Sequence, residues 1–88
     1  MEKAKAEVTA ARLSALTERR QFVVELGVRL RSARIAVGMS QTAASDASGV
    51  TQSTISEVEN AVTTPTLFVL CDLAATYGTT VGELVGEP

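Results

Sequence analysis

The 88-residue chain has no histidine, no tryptophan and a single cysteine. Without histidine it cannot assemble a His/Cys zinc site, a Ser/His/Asp triad or a Cys/His pair, and one cysteine cannot close an intramolecular disulfide. Aromatic residues make up only 3%, so a core must be built from Val, Leu, Ile and Ala. No apolar run approaches the ~20 residues that span a bilayer, and the opening Met-Glu-Lys-Ala-Lys has no signal-peptide-like apolar stretch. These absences lead us to expect a soluble, cytoplasmic protein that is not an enzyme and uses no metal or cofactor.

Basic residues also run out early. Lys3, Lys5, Arg12, Arg19, Arg20, Arg29, Arg31 and Arg34 are all the cations there are. Set against Glu2, Glu7, Glu18 and Glu25, they give residues 1–34 a net +4; Asp46, Glu57, Glu59, Asp72, Glu83 and Glu87 leave residues 35–88 at −6. Any anion, DNA included, must be held electrostatically by the N-terminal part.

What is present reads as helix. Residues 2–16 are alanine- and leucine-rich without Gly or Pro. Thr17 can cap a second helix, in which Leu26, Leu30, Ala33 and Val37 recur on one face until Gly38; whether residues 2–37 form one helix or two stays open. Ser40 is an N-cap for a helix over about 41–48 closed by Gly49, and Thr51 for one over about 52–60 with Ile55 and Val58 inward. Pro65 cannot sit inside a helix. Thr66 then caps a fourth helix carrying Leu67, Leu70, Leu73, Ala74 and Tyr77 at helical spacing, and Thr80 a last short turn. No segment alternates long enough for a strand. The expected class is all-α, with an N-terminal helical extension at 1–20 and one domain over 21–88.

Residues 39–60 form the distinctive part. Gly49 tolerates the positive φ that lets the chain reverse at once, Val50 plugs the angle between two helices, and Thr51 satisfies the amides of the second. Leu30, Arg34, Gly38, Gln41, Gly49, Val50, Ser53, Ile55, Ser56, Glu59, Asn60, Pro65, Leu67, Leu70, Leu73, Ala74, Gly78, Glu83 and Leu84 follow in order without gaps. Over roughly residues 24–85 the chain thus resembles the phage-repressor-like (Cro/CI, XRE-type) helix-turn-helix family. The resemblance implies a lambda-repressor-like five-helix domain whose third helix enters the DNA major groove.

It also implies roles. Arg34 and Glu59 would form a structural ion pair. Gln41 would hold a phosphate at the start of the second helix, and Gln52 would bond an adenine edge. Ser53, Thr54 and Ser56 follow on the exposed side as DNA contacts, with Thr63 in the next loop and Arg29 and Arg31 on the backbone. Two departures stand out. In the second helix Ala44 and Ser48 stand where the family usually has apolar residues, the first of them large, and Ser45 where it has Ala, leaving space that Leu13, Leu16, Phe22 and Val23 are candidates to fill; and the loop at 61–64 lacks the family's basic residues. Leu13, Leu16, Phe68 and Val69 are candidates for a dimer or partner surface, and Cys71 reads as a buried hydrophobe.

The function expected is a sequence-specific DNA-binding transcriptional regulator, a repressor, acting on double-stranded DNA as a homodimer at a two-fold operator. The alternative is a protein-interaction module on the same fold, an antitoxin or antirepressor with weak or no DNA binding and a protein partner.

Overall fold

A computed structural model describes residues 2–86, with side chains from Thr9 onward. Glu2, Lys3, Lys5, Glu7 and Glu87, counted above for their charge, have side chains outside the described set. Five helices form: α1 (Glu2–Ala36), α2 (Gln41–Ser48), α3 (Gln52–Glu59), α4 (Leu67–Tyr77) and α5 (Val81–Leu84). Among the described residues there is no strand.

The first helix is one unbroken rod of 35 residues. Thr17 does not cap a second helix: its hydroxyl donates to the Leu13 carbonyl at 3.0 Å, one turn back, so the residue is accommodated inside α1. The four later helices each start with the same device. Ser40, Thr51, Thr66 and Thr80 sit in extended backbone and accept from the amides of Ala43, Thr54, Val69 and Glu83, each such cap being worth about 1 kcal/mol.

Leu26 and Leu30 of α1, Ala44 of α2, Val50 at the turn, Ile55 and Val58 of α3, Leu70, Leu73, Ala74 and Tyr77 of α4, and Leu84 of α5 make the core. α3 packs on α1 and α2, α2 lies on α4, and α5 closes against both α1 and α4. Each fully buried Leu, Ile or Val contributes about 1.5–3 kcal/mol, so this small set supplies most of the driving force.

Several expected inward residues face out. Val37 lies beyond the end of α1 and is exposed, and Leu67, in the first turn of α4, is exposed as well. Cys71 is exposed on the outer side of α4 rather than buried, whereas Val69 is partly buried against the core. The space around α2 is not filled from the N-terminal extension. Leu13, Leu16 and Phe22 are exposed; instead Ala44 is wholly buried where α2 meets α3 and α4, and its small side chain lets the helices close the space themselves.

Candidate nucleic-acid interface

The turn between α2 and α3 is set by Gly49, at φ +78°, with its amide on the Ser45 carbonyl at 2.9 Å. A side chain there would be strained whatever the space available. Val50 is buried in the angle between the helices. The arrangement brings the N-terminal turn of α2 beside the outer side of α3.

What fixes this pair to α1 is an ion pair. The Arg34 Nε donates to Glu59 Oε2 at 2.7 Å and its Nη2 to Oε1 at 2.9 Å, a two-point fit, while Nη1 donates to the Met39 carbonyl at 2.9 Å. The two side chains are only 11% and 3% exposed. The hydrogen bonds to Glu59 raise the Arg34 pKa and outweigh the opposing effect of burial, so the guanidinium is charged at every working pH. Gln41 joins the network, its Nε2 donating to Glu59 Oε1 at 3.3 Å. The ring of Tyr77 packs nearby; burial, and secondly the negative charge of Glu59, raises its pKa. Its hydroxyl finds no hydrogen-bond partner among the described residues.

Gly27 was not singled out by sequence reasoning, yet it sets the approach of α1 to α3. A Cβ at this position would lie 2.6 Å from the Glu59 carbonyl oxygen and 2.7 Å from that of Val58. The available signal was a glycine inside a helix, which is disfavoured unless another backbone comes close.

An open cleft on the α2–α3 face is lined by Gln41, Gln52, Ser53, Ser56 and Glu57. Four expected DNA contacts therefore converge, together with an acid. The Thr42 hydroxyl lies 3.4 Å from Gln52 Oε1, at the outer limit of a hydrogen bond. Ser56 is partly held by Asn60, whose Nδ2 donates to its carbonyl at 2.9 Å. Thr54 does not line the cleft; its hydroxyl accepts from that of Thr51 at 2.9 Å.

The cations lie around this face rather than in it. Arg31 is exposed on α1, one turn past Gly27 and so on the edge nearest the end of α3. Arg29 is elsewhere: it lies 3.8 Å from Glu25 and its guanidinium packs at Gly86, after α5. The 61–64 loop has no cation of its own, but α1 provides them. Arg20 Nη1 donates to the Ala61 carbonyl at 2.6 Å, and Arg19 and Arg20 share a second cleft with Val23, Ala61, Val62, Thr63 and Thr64. Thr63 thus sits beside α1 rather than beside Gln52.

A family model described as Helix-turn-helix matches residues 30–84. The chain belongs to the Cro/CI-like (XRE) helix-turn-helix family. This is a family of DNA-binding regulatory domains, not of enzymes, and its partner is double-stranded DNA. The match runs from Leu30 of α1 to Leu84, the last residue of α5, so Gly27, Arg20 and everything before them precede the helix-turn-helix match. No curated protein and no solved structure matches the chain. Among the described residues no helix is long and apolar enough to cross a membrane.

Proposed function

We propose that the protein is a transcriptional repressor of the cytoplasm that binds a two-fold operator as a homodimer. The observation that carries this reading is the convergence of Gln41, Gln52, Ser53 and Ser56 on one open face at the helix-turn-helix. None of these side chains belongs to the apolar core, though Gln41 also reaches Glu59, and all are types that bond phosphates or base edges. Gln52 is exposed at the first position of α3, where a recognition helix meets the bases. Affinity in such complexes rests on phosphate neutralisation. Here it comes from the α1 edge, from Arg31 and from Arg19 and Arg20 beside Thr63, supplemented by hydroxyls and helix N-termini.

A recognition face without a cation gives a shallow dependence of affinity on salt. The test is selection from randomised duplex DNA at low and physiological salt. A two-fold motif with half-sites about one helical turn apart, bound with a shallow slope of log K against log salt, supports the reading. Failure to enrich any sequence at low salt refutes it.

One observation favours a second reading, a protein-interaction module. Glu57 lines the same cleft and no cation does, which suits a basic protein segment better than a phosphate. Charge reversal at Arg31 and Arg20 separates the two: loss of DNA retention by a folded variant supports the repressor, and unchanged retention supports the module.

A further inference from the structure

Two apolar stripes on this chain have no partner among the described residues, one flanked by Arg12 and the other carrying Asp72. The first is on α1. Gly27 and Arg20, seven residues apart, face the end of α3 and the loop after it; the next step of seven is Leu13, and Leu30, Val23 and Leu16 form a parallel series. The face that α1 turns inward therefore continues past the folded body, where Leu13 is 59% exposed. From residue 9 to 22 every position of α1 is exposed except Ala15. An unbroken helix cannot fold back on its own domain, so the described residues of this chain leave Leu13 and Leu16 uncovered. Arg12 flanks them.

The second stripe is the outer side of α4. Phe68, Cys71, Asp72 and Ala75 recur at i, i+3, i+4 and i+7, all exposed, with Phe68 at 80%. This spacing is that of a helix-packing face, and Asp72 lies in its middle. Neither Arg12 nor Asp72 has an ion-pair partner among the described residues.

We propose that the occupant of each stripe is a second copy of this chain, the α1 overhang of one copy lying on the outer face of α4 of the other, with Arg12 against Asp72. The proposal builds on the homodimer reading above and specifies its surface. A two-fold axis repeats the contact, so both overhangs and both α4 faces are covered at once, as an isologous interface requires. Pairing of the two overhangs with each other is disfavoured by charge. In an antiparallel pair centred on Leu13 and Leu16, Arg12 and Arg19 of the opposite helix share an edge; in a parallel pair, Arg20 meets Arg20. The α4 face instead offers an acid. The net +4 of residues 1–34 and −6 of residues 35–88 act in the same direction.

The test uses the full-length chain without DNA. By sedimentation equilibrium, Arg12→Asp and Asp72→Arg each weaken the dimer by about tenfold, and the double variant recovers most of that loss; both sites are exposed, and thermal unfolding checks that each variant folds. In parallel, Leu16→Cys treated with a short bis-maleimide gives a covalent dimer through the native Cys71, lost in Leu16→Cys/Cys71→Ser. Cross-linking that survives the Cys71→Ser change means the overhangs pair with each other and overturns the proposal. So does a monomer at millimolar concentration, or a double variant no tighter than the singles. Because no readout involves DNA, a dimer of this kind that ignores DNA would sink the repressor reading alone, and operator binding by a dimer indifferent to Arg12 and Asp72 would sink this one alone.

Discussion

Gly27→Ala offers a test in which two effects of known sign oppose each other. In an exposed helix the change is favourable, because alanine has the higher helix propensity by about 1 kcal/mol. Here the added methyl would stand 2.6 and 2.7 Å from two carbonyl oxygens of α3, where ordinary contact begins at 3.4 Å. Those oxygens belong to backbone at the end of a helix and cannot rotate away. α1 and α3 must therefore separate by several tenths of an ångström. That movement loosens Leu26, Leu30, Ile55 and Val58, which are all but fully buried between them, and stretches the 2.7 and 2.9 Å bonds of Arg34 to Glu59. Overpacking of this kind costs about 1–3 kcal/mol and occasionally more, and the disturbed ion pair adds to it. After the propensity gain is set against this, the net loss is about 2 kcal/mol, a fall in Tm on the order of 10 °C for a domain of this size. Thermal and urea unfolding measure it directly, with Ser32→Ala on the exposed side of α1 as the control, expected to be neutral or stabilising by a few tenths of a kcal/mol. A Gly27→Ala protein more stable than the parent would refute the close approach of the two helices.

Removing one partner of the buried pair, by Arg34→Met or Glu59→Gln, should cost about 3–5 kcal/mol, and the double variant less than the two losses combined; additive losses in urea unfolding would mean that the pair is not coupled. Tyr77→Phe should leave stability at pH 7 unchanged or slightly raised, since the buried hydroxyl gives up no hydrogen bond within the described residues. The pH dependence has a definite sign. Burial keeps the Tyr77 phenol protonated in the fold above its ordinary value of 10.0, so the native state holds a proton that the unfolded chain releases. Stability then falls as pH rises beyond about 10, by at most about 1.4 kcal/mol per unit; a Tyr77→Phe protein whose alkaline unfolding profile keeps this component would contradict the placement of the ring. Arg20→Ala should make the slope of log K against log salt on operator DNA shallower by about one; an unchanged slope in filter binding would take Arg20 off the contact surface.

How much of this was readable in advance depends on how local the cause was. Ser40, Thr51, Thr66 and Thr80 cap helices through an amide three residues on, and Gly49 needs only its own φ; such features sit within a few letters of sequence and all appear where expected. Arg34 with Glu59 is a distant pair, 25 residues apart, and was visible only through the family resemblance. Thr17 illustrates the limit of local reading. The same hydroxyl that caps a helix from outside can bond a carbonyl one turn back from inside, and the continuation of α1 on both sides decides between them. Cys71, Leu67 and Val37 are apolar and at helical spacing, but periodicity alone does not say which side of a helix its neighbours will cover. Gly27 carried its meaning in a contact with residues 58 and 59, which no window of sequence contains. At the interface, Gln41, Gln52, Ser53 and Ser56 come together, while Arg29 turns to Gly86 and Thr54 to its own capping residue. Side chains as long as arginine settle on whatever the tertiary packing brings within reach.

The three contacts of α1 with the C-terminal end of α3 fall at Arg20, Gly27 and Arg34, each seven residues from the next and so on one face. Arg20 bonds the Ala61 carbonyl, Gly27 admits the carbonyls of Val58 and Glu59, and Arg34 grips the Glu59 side chain. The end of a helix carries partial negative charge on its last carbonyls, and α1 brackets it with two guanidinium groups around a glycine. The charge of Arg34 is matched by Glu59, so of these two groups it is Arg20 that brings net positive charge to the end of α3. In the proposed complex α3 would supply the side chains that bond bases and α1 the charge, and the bracket holds the two in fixed register over about four turns of α1, from Arg20 to Arg34. In such a division of labour, a shift of α1 against α3 misaligns backbone contacts with base contacts even when every contacting residue is intact. Gly27, which touches no DNA in this reading, would then govern operator affinity as strongly as it governs folding.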